Sequence, residues 1–301
     1  MEPTAVTVRV PATSANVGTG FDCLGLALDL FASITVTFGQ DERAEPEDAA
    51  SRMVLMAARS TYARIGREPP PGMDARYTVS LPLGRGLGAS AVARVAGVLA
   101  VNEVERRPLD EDACLSVASE LEGHGDNACP ALFGGVQVCV GAGERLLHVS
   151  CKYPSSLAVA VVIPDRSMAT KEARRALPDS YLKEDVTHNL GRLAMLVAAL
   201  ASSRLDLLDE ATQDRIHQPQ RSTLFPPMGS IFEAAKRAGA HAAWLSGAGS
   251  SVAALCPEEA GREVAAAMQT ALDVAGESGR SLATRISHEG ASVSKIELLG
   301  S

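Results

Sequence analysis

A chain of 301 residues with 46% hydrophobic and 21% charged residues can build two ordinary domains, each with its own core, and is neither disordered nor fibrous. A net charge of −8 excludes a surface that coats nucleic acid, a mode that needs clustered cations and counterion release, so any polyanion has to enter a local pocket. The start, MEPTAVTVRVPATSAN, lacks the pattern of a signal peptide, LAMLVAALA is shorter than the roughly 20 residues of a membrane span, and Cys23, Cys114, Cys129, Cys139, Cys151 and Cys256 contain no CxxC pair; a cytoplasmic protein with reduced, buried thiols and no membrane partner is expected.

In chain order, VTVRV and ASITVTF alternate as strands do and flank a Gly-rich segment, and the acidic QDERAEPEDAAS after them reads as an exposed loop. A helix carrying Met53, Val54, Met56, Ala57 and Tyr62 ends near Gly66, REPPPGMDA is a rigid turn, and RYTVSL is a strand. PLGRGLGASA (82–91) then runs into a helix with apolar residues at Val92, Val95, Val98 and Val101. Asp110 to Glu122 has acidic residues in its first turn and a glycine just past its end, a helix signature, and Val136 to Val140 is strand-like.

Near residue 152 the pattern restarts, dividing the chain into 1–152 and 153–301. LAVAVVIP reads as a strand covered on both faces, and a helix is expected from about Asn189 to Ser203. The polar run DEATQDRIHQPQRS precedes a helix opened by Ser230, with Glu233 at capping-box spacing. AAWLS and SVAALC bracket the turn GAGS, an Ala-rich helix follows Pro257, and SLATRIS and VSKIELL close the chain as strands. Two strand–helix–strand units sharing one sheet would account for this half.

The chemistry concentrates in five segments. Gly84, Gly86 and Gly88 can take positive φ and carry no Cβ, so Pro82, Leu83, Gly84, Arg85, Gly86, Leu87, Gly88, Ala89 and Ser90 can turn N–H groups toward one anion at the positive end of a helix, as a nucleotide triphosphate requires. The string is neither GxxxxGK[ST] nor GxGxxG. Ser90 either caps the helix or ligates a magnesium ion carried on the phosphates. In PATSANVGTGFD, Asn16 and Asp22 flank glycines, as an Asx turn or as binding groups. In ELEGHGDNACPALFGG, Glu122 ends a helix, where the dipole disfavours an anion, so a cation such as magnesium is expected beside it. His124, Asp126 and Asn127 follow, with no second His or Cys at the spacing zinc would need. His124 suits a substrate hydrogen bond or a loop brace equally. In MATKEARRALP, Thr170 and Arg174 share a helical face, and Arg174 can pair bidentately with a carboxylate. Arg221 in DRIHQPQRS and the later LSGAGSSVAAL add a second cation and another Gly-rich turn.

Together these segments resemble the homoserine kinase branch of the GHMP kinase superfamily, from about Val8 to Cys256. PATSANVGTGFDCLGLAL is similar to its first motif, PLGRGLGASA to its phosphate loop, EGHGDN to its central loop and WLSGAGSSVAAL to its third motif, while IPDRSMATKEARRALP and DRIHQPQR resemble stretches specific to homoserine kinases. The resemblance implies an α+β fold of two domains, an N-terminal left-handed βαβ domain and a C-terminal ferredoxin-like domain, with ATP between them. It implies Mg²⁺ at Ser90 and Glu122, and homoserine bound by Asn16, Asp22, His124, Asn127, Arg174 and Arg221. Thr170 would stand near the γ-phosphate, with Arg174 as a catalytic group and Asp126 as either a base or a brace of its loop. Ala89, Gly125 and Ala128 depart from the usual residues, and Thr19 and Ser250 stand where proline is common, which loosens these loops on entropic grounds and bears on substrate choice. A kinase for another hydroxylated amino acid and a non-catalytic nucleotide sensor are the alternative readings. The partner is a small amino acid, and a homodimer is possible.

Overall fold

The computed structural model describes residues 4–142 and 145–298. The first half runs β1 (Thr4–Ala15), β2 (Leu24–Gly39), α1 (Ala49–Arg64), β3 (Gly72–Val79), α2 (Ala89–Val104), α3 (Glu111–Glu122), α4 (Ala128–Phe133), β4 (Val136–Ala142) and β5 (Arg145–Cys151). The alternation in VTVRV sends Val6, Val8 and Val10 inward, where they meet Ile34, Val36 and Phe38 of β2 and the apolar faces of α1, α2 and α3 in one core. Asp48 caps α1 and Asp110 caps α3 through side-chain bonds to Ser51 N and Ala113 N, and Gly123 stops α3 in the left-handed region.

The second half runs β6 (Leu157–Pro164), α5 (Thr170–Arg175), α6 (Lys183–Ala201), α7 (Leu208–Ala211), α8 (Gln218–Arg221), α9 (Met228–Arg237), β7 (Ala242–Leu245), β8 (Val252–Pro257), α10 (Gly261–Val274), β9 (Gly279–Arg285) and β10 (Ser292–Leu298). Strands β6 to β9 form an antiparallel sheet in the order β7-β8-β6-β9, the ferredoxin-like arrangement. β6 is buried along its whole length, as its unbroken apolar run requires. Val159, Val161 and Ile163 face the first half, whereas Ala158, Ala160 and Val162 face the layer that contains α9 and α10. The core between the halves also holds Leu24, Leu26 and Leu28 of β2, and Trp244 Nε1 donates across it to Ser14 Oγ at 3.0 Å. A single bridge, Leu28 to Ile286, joins the two sheets directly among the described residues.

Four expectations are corrected. β10 does not complete a sheet in the second half: it pairs antiparallel with β1, from Thr4 with Leu298 to Arg9 with Ser292, so the first sheet runs β10-β1-β2-β4-β5 with β3 also on β2. An alternating strand carries no record of its partner, and the open edge of β1 takes it. β3 begins at Gly72, inside the expected turn, because the ladder with β2 extends to Gly39. α6 starts six residues before Asn189, with Glu184 and Asp185 in its first turn. α9 starts at Met228, so Ser230 lies inside the helix, where its hydroxyl donates to Pro227 O, and Glu233 pairs with Lys236 instead of closing a capping box. The short α4 and the strand β5 had no counterpart in the sequence reading.

Candidate active site

One cleft between the halves is lined by Asn16, Asp22, Leu83, Gly84, Gly86, Leu87, Gly88, Ala89, Ser90, Glu122, His124, Asp126, Asn127, Thr170, Arg174 and Arg221. All the expected site residues therefore converge, apart from Pro82 and Arg85, which belong to the loop but do not face the cleft.

The loop before α2 has the backbone its glycines allow. Gly84, Gly86 and Gly88 have φ of 65°, 74° and 66°. Four contacts from three segments pin it: Thr13 N–H donates to Leu87 O at 3.1 Å, Met168 N–H to Gly84 O at 2.9 Å, Ser251 N–H to Arg85 O at 3.1 Å, and Ser246 Oγ lies 2.6 Å from Gly86 O. With its carbonyls engaged by protein, the loop leaves amides and the start of a 16-residue helix for an anion. Gly88 holds the cap position, so Ser90 does not cap α2; it lines the cleft instead.

Opposite the loop lie the acceptor-side charges. Arg174 Nη1 and Nη2 donate to Asp22 Oδ2 and Oδ1 at 2.9 and 2.7 Å, a bidentate pair about a third exposed on each side, and this bonding holds the Arg174 guanidinium above its ordinary pKa. Asn16, at φ 70°, accepts the Asp22 N–H at 3.1 Å and donates to Gly247 O at 2.8 Å, which ties the first Gly-rich segment to the third. Arg221 is 2% exposed and donates through Nη1 to Gly247 O and His217 Nδ1, each at 3.1 Å. Burial first, then the nearby Arg174, pull its pKa down to about 10.

The central loop is ordered by its own polar groups. His124 Nδ1 lies 2.5 Å from Asp126 Oδ1, Asn127 Nδ2 donates to the same oxygen at 3.3 Å, and Thr13 Oγ1 donates to Asn127 Oδ1 at 2.8 Å. Burial disfavours the His124 cation, but the bond and charge of Asp126, with Glu122 and Asp22 behind it, outweigh that and raise its pKa. Asp22, His124 and Asp126 gather ligand atoms within 4.8 Å of one another. At three of the departures the structure supplies other contacts. The space a Cβ on Gly125 would take is filled by Leu146 of β5, Thr19 Oγ1 donates to Ala211 O at 2.9 Å, and Ser250 Oγ to Arg166 O at 2.5 Å. Hydrogen bonds and packing restrain these loops where a proline ring would.

The family models for the GHMP kinase N-terminal and C-terminal domains match residues 52–135 and 196–274. A homoserine kinase of Deinococcus radiodurans is 42% identical over 254 residues, 82% of each chain, and one of Prochlorococcus marinus is 38% identical over 292 residues, 91% of each. The chain belongs to the homoserine kinase family of GHMP kinases. The crystal structure of a homoserine kinase from Cytophaga hutchinsonii, 30% identical, superposes with a TM-score of 0.86 over 96% of this chain and 97% of the other.

Two supports of this homoserine kinase-family cleft escaped the sequence reading. His217 is wholly buried, stacks on Phe21 with centroids 5.1 Å apart, and bonds Gly18 O through Nε2 at 2.8 Å while its Nδ1 faces Arg221. Burial lowers its pKa, so it is a neutral imidazole that orients Arg221. Asp214 accepts the N–H groups of Ile216, His217 and Gln218 at 3.1, 2.8 and 2.7 Å, which fixes the turn that carries both residues. Cys23, next to Asp22, is no nucleophile: burial, and then Cys139, push its pKa up to about 11.

Proposed function

We propose that the protein transfers the γ-phosphoryl group of ATP to the hydroxyl of L-homoserine, giving O-phospho-L-homoserine on the route to threonine. One observation carries this reading: an anion-binding loop and a paired anion and cation sized for a zwitterion face each other across one cleft. The names of the relatives support the same substrate.

The amides of Gly84 to Ser90 hold the triphosphate. Asp22 takes the substrate ammonium, and Arg174 and Arg221 take its carboxylate, so the bound zwitterion replaces the direct Asp22–Arg174 bond with two new pairs. His124 hydrogen-bonds the substrate, Asn16 holds the backbone of Asp22, and Asn127 braces the central loop against Thr13. Thr170, at the first position of α5 and on the wall of the cleft, offers its hydroxyl to the γ-phosphate. As the oxygen–phosphorus bond forms, the bond to the β-phosphate oxygen breaks and ADP leaves; the hydroxyl proton passes to Asp126, the buried carboxylate of the central loop. Positioning and charge neutralisation do most of this work.

The side chains of Ser90 and Glu122 fit a magnesium ion. Both line the cleft and both offer the hard oxygen that a magnesium ion takes. When bound, the ion neutralises phosphate charge. Residues 1–152 would form the nucleotide domain and residues from 153 to β9 the ferredoxin-like one. A cytoplasmic location suits ATP as donor, and no helix among the described residues is long and apolar enough to cross a membrane.

Coupled ADP release with L-homoserine, L-threonine and L-serine tests the reading. Homoserine should give the highest kcat/KM and a phosphomonoester signal by phosphorus NMR. No stimulation by homoserine above the rate in water refutes it, and a higher kcat/KM with another hydroxyl amino acid moves the substrate assignment to that compound.

A further inference from the structure

Glu122 has a partner that the expected metal site does not account for. Arg94 stands four residues after Ser90 on the same face of α2, and its Nη1 lies 2.5 Å from Glu122 Oε1, with the two side chains only 14% and 8% exposed. The two groups are in direct ionic contact through Nη1 alone, and the buried Arg94 Nε has no partner of its own. That contrasts with the directed bidentate bonding between Arg174 and Asp22 in the same cleft. At the C-terminal end of α3, and this deeply buried, an unpaired carboxylate would be strongly disfavoured, so the guanidinium compensates it. The carboxylate it neutralises is the one a divalent ion would take.

We propose that Arg94 is a resident counter-cation that competes with the divalent ion for Glu122, so that metal enters only with the extra ligands a nucleotide brings. The proposal rests on the reading of Ser90 and Glu122 as the metal site. A guanidinium and a dication on one poorly solvated carboxylate repel each other strongly. Occupancy by the ion therefore weakens or displaces the Arg94 pair, and the lost attraction is subtracted from metal affinity. Phosphate oxygens supplied by the nucleotide offset that loss, and free metal has no such compensation.

Mn²⁺ binding, read by the electron paramagnetic resonance of the free ion, tests this with and without a non-hydrolysable ATP analogue. Arg94→Met and Arg94→Gln should each tighten Mn²⁺ binding to nucleotide-free protein by at least about tenfold, equivalent to about 1.4 kcal/mol. Arg94→Lys, which keeps a charge at the same place, should stay within about threefold of the parent. Circular dichroism establishes that each variant is folded, and the glutamine and lysine variants carry the test if the methionine variant is not. An unchanged or weaker Mn²⁺ affinity in the folded neutral variants, or a tightening by lysine equal to theirs, overturns the proposal and leaves Arg94 a structural ion pair. Glu122→Gln separates this failure from that of the underlying reading: if it leaves Mn²⁺ binding in the nucleotide complex untouched, the metal site itself is wrongly assigned.

Discussion

Alanine substitutions in the phosphate loop should rank by what a Cβ would meet. All three glycines sit at positive φ, so each alanine carries a backbone cost of about 1–2 kcal/mol. At Gly84 that is the whole cost, since the nearest atom, Ser167 Cβ, would be 3.5 Å away. At Gly88 a Cβ would fall 1.8 Å from Thr13 Oγ1. The hydroxyl can rotate away only by giving up its bond to Asn127, a further loss of about 0.5–1.5 kcal/mol. At Gly86 the obstacle is backbone, Ser246 O at 2.1 Å, which cannot rotate, and overpacking adds about 1–3 kcal/mol. The expected order of destabilisation is Gly84→Ala, then Gly88→Ala, then Gly86→Ala. Urea denaturation followed by the fluorescence of Trp244, the one tryptophan and fully buried, measures it. Adding Thr13→Ala to Gly88→Ala should recover part of the loss, so the double variant is less destabilised than the sum of the singles. Equal damage from Gly84→Ala and Gly86→Ala, or strict additivity of the Thr13 pair, would refute the reasoning.

Asp22→Asn should lower kcat/KM for the amino acid by about 10- to 100-fold through KM, the value of a lost charged hydrogen bond, with little change in melting temperature because the Asp22–Arg174 pair is partly exposed; steady-state kinetics beside a thermal melt decide it. The raised pKa of His124 makes a stabilising contribution that is complete below its unfolded value of about 6.5 and is lost as pH rises through the higher folded value. Asp126→Asn removes its main support, so the His124 titration followed by NMR should move down, and an unchanged midpoint would count against the Asp126 contact. Ser14→Ala strands the Trp244 indole N–H between the halves and should cost about 1–3 kcal/mol in chemical denaturation, whereas a neutral result would mean that the bond contributes nothing.

The residues that meet the cleft were readable because glycine and short polar side chains beside a helix start have few other uses. The φ values at Gly84, Gly86 and Gly88 and the alternating faces of β6 follow from residue type and period alone. What could not be read are the relations between distant segments. Nothing local marks His217 as the brace of Arg221's guanidinium, because its orientation depends on a bond to Gly18, far away in sequence. Asp214 is the exception: its bonds run to residues two to four positions later, an Asx-type signal that the sequence did carry. The helix dipole calls for a cation beside Glu122, and magnesium is the one expected; that Arg94 stands there could not be read, because it lies on another helix and passes in sequence for a solvated charge. Likewise Leu146 fills the space beside Gly125 only because β5 folds back on β4, a pairing that a short, largely exposed strand hardly announces.

The return of β10 to β1 has a consequence for biogenesis. During synthesis the valine-rich strand that begins the chain waits with one flank uncovered while some 280 residues emerge, and an uncovered strand flank is where molecules pair wrongly. Shortening the chain before Ser292 would therefore harm the beginning of the protein more than its end. Linking Thr4 to Leu298 and reopening the chain at an exposed turn would let the early strand find its neighbour at once, and would shift the balance between folding and aggregation without touching the cleft.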